Sequence, residues 1–316
     1  MLQKNDTEVN ARIKWAFFGT SLFSVIVLDE LKAKGFLPTL IVTVEDKPKG
    51  RKLIMTPPEV KVWAEKESIK YIQLKTLRKP EAPDEIKSYA PDGFDLFIVA
   101  SYGKIIPPNI LDIPKHKTIN VHPSLLPKLR GPSPIQSAIL EESETGVSII
   151  ELDEEVDHGP ILAQKKILSW GGIGSLENSE SDPPYAEDLE KKLGTLSGRL
   201  LGDLLPDLIS GKIKAVPQEH SLATFCKKIE KADGEINWDE NPEKNLRKIR
   251  AYHIWPGAYF FDNRDEIKKR IIIKRAHVDN GNLILDRVVP EGKKEMPYSD
   301  FLRTREQSPD TNHSKK

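Results

Sequence analysis

Two polar side chains that can stabilise a developing negative charge stand two residues apart near the middle of the chain. Asn120 offers an amide N–H and His122 a ring N–H, at the end of the apolar run Thr118–Val121. Because alternate side chains of a strand share a face, both groups are expected to point the same way. Pro123 cannot continue a central strand, so the strand is predicted to end at His122, at the sheet edge where α/β folds bind ligands.

The residue types alone leave other interpretations open. An isolated Asn or His at a strand end is most often a turn residue with locally satisfied hydrogen bonds. Asp157 lies in an acidic stretch of the kind that usually forms solvated surface. Ser124 with His122 and Asp157 could be imagined as a hydrolytic triad, but Ser124 lacks the Gly-x-Ser-x-Gly turn that exposes a nucleophile.

Three further patterns carry weaker signals. The histidines near Asp157 lack the spacing of a metal site, so no metal is predicted. Gly19-Thr20 opens a predicted helix, but the full G-x-G-x-x-G phosphate fingerprint is absent. Trp238 and Trp255 could stack on bases, although core aromatics of a small barrel are the favoured interpretation.

Alternating apolar strands and helices predict the scaffold that holds these residues. Strands are indicated at Ile13–Phe18, Thr39–Val44, Tyr71–Leu74, Phe94–Ser101 and Thr118–Val121, and helices at Ser21–Lys34, Pro58–Glu67, Ser133–Leu140 and Tyr185–Ser210. Val147–Leu152 and Ile161–Ile167 are predicted as an antiparallel pair around Asp153–Pro160. The pattern is typical of an α/β, Rossmann-like fold with a mostly parallel sheet.

Short β-rich pieces follow the last of these helices and predict a small C-terminal β-barrel of the OB-like kind. The predicted organisation is an N-terminal tail (1–11), a catalytic domain (12–210), a linker (211–224), the barrel (225–303) and a disordered tail (304–316). The segment Trp170–Pro184 is rich in Gly, Ser and Pro and is predicted as a loop or insertion.

Composition favours a globular protein without membrane spans. Of 316 residues, 38% are hydrophobic and 30% charged, and the formal net charge is zero. Residues 1–210 carry 26 basic against 31 acidic side chains, and residues 211–316 carry 22 against 17, so the C-terminal third is basic. The single cysteine, Cys226, excludes an internal disulfide, and no signal peptide is visible. We expect a cytoplasmic protein, with an organellar form left open.

A wider set of motifs extends the Asn120 and His122 pattern along the chain. The central motif, Asn-x-His-x-Ser-Leu-Leu-Pro followed by Arg-Gly within residues 120–131, resembles the signature of the folate-dependent formyltransferases, in particular those that act on methionyl-tRNA. Matching positions also occur at 19–20, 47–51, 102–107, 134–136, 144–147, 152–153, 157, 159, 233–234, 236–238, 249–251, 255–257 and 291–294. The resemblance covers roughly residues 12–303.

The resemblance implies a role for each matched residue. Asn120, His122 and Asp157 take the catalytic positions. The co-substrate 10-formyltetrahydrofolate is expected at Ser124, Leu125, Leu126 and Pro127, together with Tyr102, Gly103 and Asp153. The acceptor, initiator methionyl-tRNA, is expected to meet the C-terminal domain and the basic residues Lys47, Lys49, Arg51 and Lys52. A monomer without metal or membrane partner is expected.

The expected reaction explains these residue types. An α-amino group, with a pKa of about 7.7–8.0, must attack the formyl carbon as the free base and then lose a proton, which Asp157 could accept. The oxyanion of the tetrahedral intermediate needs donors such as Asn120 and His122.

Two other functions stay open: formylation of a small amine such as an aminosugar nucleotide, and a non-catalytic RNA-binding or folate-sensing relative. The basic segment favours tRNA, and the presence of all three catalytic residues argues against a non-catalytic protein. The chain departs from the family at His158, where threonine is usual, and in a short segment between Lys274 and Glu291.

Overall fold

A seven-stranded sheet forms the larger of two compact units in the computed structural model, which describes residues 13–50, 52–141, 144–167, 183–262 and 268–306. The larger unit holds the described residues of 13–134, 144–167 and 189–227, and the smaller holds 135–141, 183–188 and 228–306. In chain order the strands are β1 (Trp15–Gly19), β2 (Leu40–Thr43), β3 (Lys47–Lys49), β4 (Ile54–Thr56), β5 (Tyr71–Gln73), β6 (Leu96–Ala100), β7 (Thr118–His122), β8 (Gly146–Glu151), β9 (Ile161–Lys166), β10 (Tyr259–Asp262), β11 (Lys269–Asp279), β12 (Asn282–Pro290) and β13 (Met296–Pro297). The helices are α1 (Leu22–Ala33), α2 (Glu59–Lys66), α3 (Ala82–Lys87), α4 (Pro108–Leu111), α5 (Pro134–Glu141), α6 (Ala186–Ile209), α7 (Pro242–Ala251) and α8 (Tyr298–Glu306).

The sheet order is β5-β2-β1-β6-β7-β8-β9, and the first five of these strands run parallel. Three of them, β1, β2 and β6, are buried along their whole length, as expected for the central strands of a parallel sheet that is covered on both faces. β8 runs antiparallel to both β7 and β9, which confirms the predicted antiparallel pair. Since the chain turns in opposite directions after β1 and β6, their carboxyl ends form the switch point of the sheet.

Three glycines let α6 approach α1 closely. Gly194, Gly198 and Gly202 lie four residues apart. A Cβ on each would come, in that order, against Ile26 and Glu30 of α1 and against Lys34, the residue that follows α1. Residues four apart share a helix face, so the three glycines form one contact stripe. This packing fixes the long helix on the outside of the sheet domain.

The smaller unit contains an antiparallel sheet in the order β10-β11-β12-β13. Leu246 and Ile249 of α7 and Phe301 of α8 are buried in one apolar cluster with Ile271 and Val288 of this sheet. The predicted fold class, a Rossmann-like domain followed by a small β domain, is therefore confirmed. α8 continues to Glu306, three residues beyond the predicted end of the domain, and the domain bounds themselves stay predictions.

Other sequence predictions have mixed outcomes. Trp238 and Trp255 are 53% and 49% exposed, so the prediction that they are core aromatics is wrong; Trp238 meets only the edge of Phe260 in the aromatic contacts of the described residues. Cys226 is a free cysteine with a buried side chain. Most of the Trp170–Pro184 insertion, the N-terminal tail and residues 307–316 lie outside the described residues. Among the helices that are described, none combines the length and the apolar character needed to cross a bilayer.

The glycine stripe gives a paired stability test. Gly198→Ala is expected to lower the free energy of unfolding by about 1–3 kcal/mol, because its Cβ would lie 2.5 Å from Glu30 Cβ and 2.9 Å from the Val27 carbonyl oxygen. Gly202→Ala is the matched control. Its Cβ would meet the flexible side chain of Lys34, which can move aside. We therefore expect this variant to raise the free energy of unfolding by about 1 kcal/mol, because alanine has the higher helix propensity. Urea unfolding measures both, and equal stabilisation by the two variants would contradict the close packing.

Candidate active site

The carboxyl ends of β1, β6 and β7 meet at one edge of the sheet. Gly19 ends β1, and a Cβ there would lie 2.5 Å from Phe17 and 2.9 Å from Ser24, so only glycine permits this turn into α1. Thr20 Oγ1 donates to the carbonyl oxygen of Tyr102 at 2.9 Å, which links the ends of β1 and β6. β7 ends at His122, as Pro123 predicts. The predicted site residues Tyr102 and Gly103 after β6, and Asn120 and His122 on β7, therefore share this edge with the turn after β1.

Asp157 is the point on which the predicted catalytic residues converge. Asn120 Nδ2 donates to Asp157 Oδ1 at 3.2 Å, and the backbone N–H of Gly131 donates to Oδ2 at 2.9 Å. His122 Nδ1 lies 3.5 Å from Oδ2. The carboxylate is 8% exposed, so these donors replace most of the water that would otherwise solvate it. The structure thus brings Asn120 and His122 to Asp157, which follows Asn120 by 37 positions in the sequence.

The ring of His122 is held by protein groups at both nitrogens. Nε2 lies 2.9 Å from the carbonyl oxygen of Leu129, and because a carbonyl can only accept, Nε2 carries the proton. Nδ1 is then the nitrogen that can take or release a proton beside Asp157. In this arrangement Nε2 faces the carbonyl oxygen of Leu129 and Nδ1 faces Asp157. The predicted donation of His122 to an oxyanion stays a prediction.

The turn that carries Asp157 has an uncommon backbone conformation. Asp157 has φ +50°, in the left-handed region that few residues other than glycine adopt. Gln218 Nε2 donates to the carbonyl oxygens of Asp157 at 2.9 Å and Gly159 at 2.7 Å. Gly131 is equally constrained, with φ +116° and a would-be Cβ 2.7 Å from the Cys226 carbonyl oxygen. Glycine at 131 therefore allows the approach that delivers its N–H to Asp157.

The segment that follows β7 is fixed by side-chain to backbone hydrogen bonds. Ser124 is fully buried, and its Oγ donates to the carbonyl oxygen of Lys128 at 2.7 Å. Ser148 Oγ accepts from Leu126 N at 3.0 Å and donates to the carbonyl oxygen of Ser124 at 2.7 Å. Gln164 Nε2 donates to the carbonyl oxygen of Leu126 at 2.9 Å. The Ser124 hydroxyl is thus directed away from His122, and the hydrolytic triad does not form.

The other predicted folate residues lie on neighbouring loops. Tyr102 is buried at the end of β6, where burial raises the pKa of its hydroxyl well above the ordinary value, and Gly103 follows with φ +75°. Asp153 Oδ2 lies 2.7 Å from His158 Nδ1. The ring of His158 stacks on His220 with centroids 4.1 Å apart. His158, the departure from the family, is therefore engaged by Asp153 and His220.

The predicted tRNA-binding lysines lie in a β-hairpin. β3 pairs with β4, and Lys47, Lys49 and Lys52 are all exposed. Lys49 Nζ lies 3.1 Å from Glu59 Oε1, a contact that still leaves the hairpin basic. Arg51 lies outside the described residues. No cluster of three His, Cys, Asp or Glu side chains with metal-binding geometry occurs in the part of the chain that is described.

Sequence reasoning missed the groups that support Asp157 from outside β7. The Gly131 amide and the Arg130 side chain belong to the central motif but carried no assigned role. Gln218 lies in the segment predicted to be a linker, and no local pattern singles it out. Only the hydrogen bonds of the folded chain reveal it.

Ser124 gives a direct test of the rejected triad. Loss of a nucleophilic serine should reduce turnover about 10⁶-fold. Because the hydroxyl instead donates to a buried carbonyl, Ser124→Ala is expected to lose about 1 kcal/mol of stability and to keep at least about a tenth of wild-type activity. Formyl transfer measured beside thermal unfolding separates the two outcomes, and loss of all turnover in a folded variant would restore the triad.

Comparison with known proteins agrees with this geometry. The model of the formyl transferase family matches residues 12–170, and that of the formyl transferase C-terminal domain matches residues 228–282. A methionyl-tRNA formyltransferase of Halalkalibacterium halodurans is 35% identical over 313 residues, covering 92% of this chain and 94% of its own.

Solved structures share the fold at lower identity. A sugar N-formyltransferase from Shewanella has a TM-score of 0.58 at 17% identity, covering 89% of this chain and 99% of its own. HypX from Aquifex aeolicus, solved with tetrahydrofolic acid, has a TM-score of 0.61 at 16% identity, covering 94% of this chain and 48% of its own. The family match, the relative and the site agree: this chain belongs to the formyl transferase family.

Proposed function

We propose that this protein transfers the formyl group of 10-formyltetrahydrofolate to the amino group of initiator methionyl-tRNA. The convergence of Asn120 and His122 on the buried carboxylate of Asp157 is the observation that carries the chemistry. The tRNA acceptor is supported by the relative from Halalkalibacterium halodurans, which matches this chain along almost its whole length. The protein is proposed to act in the cytoplasm as a monomer.

In the proposed reaction the free amine attacks the formyl carbon and forms a C–N bond. The carbonyl electron pair moves to oxygen, and the resulting oxyanion is stabilised by hydrogen-bond donors. Asn120 is the proposed donor: one N–H of its amide faces Asp157, and the amide has a second N–H to give. The intermediate collapses with cleavage of the bond to N10 of the folate, which takes up a proton.

The proton that the attacking amine loses is assigned to the pair Asp157 and His122. A carboxylate that accepts from Gly131 N and Asn120 Nδ2 is held in place and keeps a lone pair for a further donor. His122 Nδ1 stands beside the same carboxylate at 3.5 Å, so a proton can pass between them with small movements. The pair thereby links amine deprotonation to protonation of the leaving group.

The folate is proposed to bind along Ser124–Pro127, with Tyr102, Gly103 and Asp153 close to the same edge of the sheet. The hydrogen bonds of Ser148 and Gln164 to Leu126 give that segment a fixed backbone, which suits recognition of a flat ring system. The tetrahydrofolic acid bound by HypX, a protein of similar fold, supports a folate ligand.

A small amine remains the second candidate acceptor. The fold likeness to a sugar N-formyltransferase shows that this scaffold does not by itself select tRNA. The exposed lysines of the β3–β4 hairpin favour a polyanion, because phosphate contacts need Lys and Arg. Incubation with 10-formyltetrahydrofolate and charged initiator tRNA, and separately with aminosugar nucleotides, decides between them: transfer to small amines alone would exclude the tRNA acceptor.

Asn120→Ala tests the oxyanion donor. Removal of one such donor is expected to lower the single-turnover rate constant about 100- to 1000-fold, while the dissociation constant of tetrahydrofolate changes little. Thr118→Val is the matched control, since Thr118 is buried on the same strand and donates only to the carbonyl oxygen of Leu111 among the described contacts. A rate constant within about threefold of wild type in Asn120→Ala would remove Asn120 from the mechanism.

The hairpin lysines are tested by salt dependence. Lys47→Ala combined with Lys52→Ala should reduce the slope of log kcat/KM against log salt by about 1–2 when methionyl-tRNA is the substrate. Lys87→Ala is the control, because Lys87 is exposed at the end of α3, outside the β3–β4 hairpin and the predicted site residues. Identical slopes in wild type and the double variant would show that these lysines contact no phosphate.

A further inference from the structure

Gln218 joins the turn that carries Asp157 to a different part of the chain. Its Nε2 donates to the carbonyl oxygens on both sides of the turn, Asp157 at 2.9 Å and Gly159 at 2.7 Å. Its Oε1 lies 2.7 Å from Arg130 Nη2. Because a guanidinium only donates, Oε1 must be the atom that faces Arg130, and this fixes Nε2 toward the turn.

Arg130 closes a ring of hydrogen bonds around the carboxylate. The next residue, Gly131, gives its backbone N–H to Asp157 Oδ2 at 2.9 Å. Gln218 therefore ties the backbone of Asp157 to the same segment that binds its side chain. Arg130 and Gln218 are 4% and 5% exposed, so water competes little for these bonds. Arg130 Nη2 also lies 2.8 Å from His220 Nδ1, which holds the guanidinium from a second side.

The turn leaves little room for any other arrangement. Asp157 has φ +50°, and such a conformation persists only where the surroundings determine it. A Cβ at Gly159 would lie 1.9 Å from the Glu151 carbonyl oxygen, so the far side of the turn packs directly against β8. The two hydrogen bonds from Gln218 are the polar contacts that hold the turn on its near side.

We infer that Gln218 is a positioning residue, which sets the place of the Asp157 carboxylate through the backbone of its turn. The inference rests on the proposed function of Asp157 in formyl transfer. A misplacement of about 1 Å in a reacting group can lower a rate about 100-fold without changing substrate binding. Loss of Gln218 should therefore act on the chemical step rather than on affinity.

Two variants remove the donor while keeping the length of the side chain. Gln218→Glu keeps an acceptor for Arg130 but turns an oxygen toward two carbonyl oxygens, and Gln218→Met removes both ends of the amide. We expect each to lower kcat about 10- to 100-fold, with KM values for folate and methionyl-tRNA within about threefold of wild type. Thr118→Val, which removes a buried hydrogen bond from β7 to the carbonyl oxygen of Leu111, should leave both constants unchanged.

A double-variant cycle separates positioning from a general loss of structure. In an Asp157→Asn background the carboxylate that Gln218 positions is already gone. The further loss from Gln218→Glu should then shrink to less than about threefold, because residues acting through one another are not additive. A merely structural role would lower the rate by the same factor in both backgrounds.

The kcat and KM of formyl transfer are measured for wild type, Gln218→Glu, Asp157→Asn and the variant that combines the two substitutions. The temperature is one at which circular dichroism shows each protein to be folded. A kcat effect that disappears in the Asp157→Asn background supports the inference. An additive effect, a change confined to KM, or wild-type kcat in Gln218→Glu overturns it. Failure of wild type to transfer formyl to any amine refutes instead the proposed function, so the two failures are distinguishable.

Discussion

The buried carboxylate of Asp157 joins its own turn to β7 and to the segment that follows β7. It accepts hydrogen bonds from Asn120 on β7 and from the amide of Gly131, and it lies beside His122. An unpaired carboxylate at such burial would cost several kcal/mol, so the native fold must bring its donors to it. The contacts that stabilise the charge also hold an amide, an imidazole and a carboxylate next to one another.

Much of the scaffold follows from local sequence patterns. The apolar runs that predict strands become β1, β2, β5, β6 and β7. β7 ends directly before Pro123, because proline has no backbone N–H to donate to a neighbouring strand. The two-residue spacing of Asn120 and His122 predicts that both point the same way, and both indeed lie against Asp157. These predictions succeed because the alternation of side chains along a strand and the missing N–H of a proline are determined within a few residues of the chain.

The supports of the site depend on long-range contacts, and the sequence does not reveal them. Gln218 is 61 residues from Asp157 and 88 from Arg130. Nothing in the composition of residues 211–224, which favoured a linker, indicates a buried amide. Ser124 shows the converse: its residue type suggested a nucleophile, and only the position of the Lys128 carbonyl shows where its hydroxyl points.

The placement of Gln218 sets a lower limit on the length of a self-sufficient catalytic fragment. The two family matches cover residues 12–170 and 228–282, and Gln218 lies in the interval between them. In that interval Thr224 also receives the Leu129 N–H on its hydroxyl, and the Cys226 N–H reaches the Arg130 carbonyl oxygen. A chain cut after α6 would keep Asn120, His122 and Asp157 but leave the turn and the Leu129–Arg130 segment without these partners. The segment after α6, residues 210–227, therefore supports the proposed catalytic turn, and we expect its sequence to tolerate change less than its short secondary structure suggests.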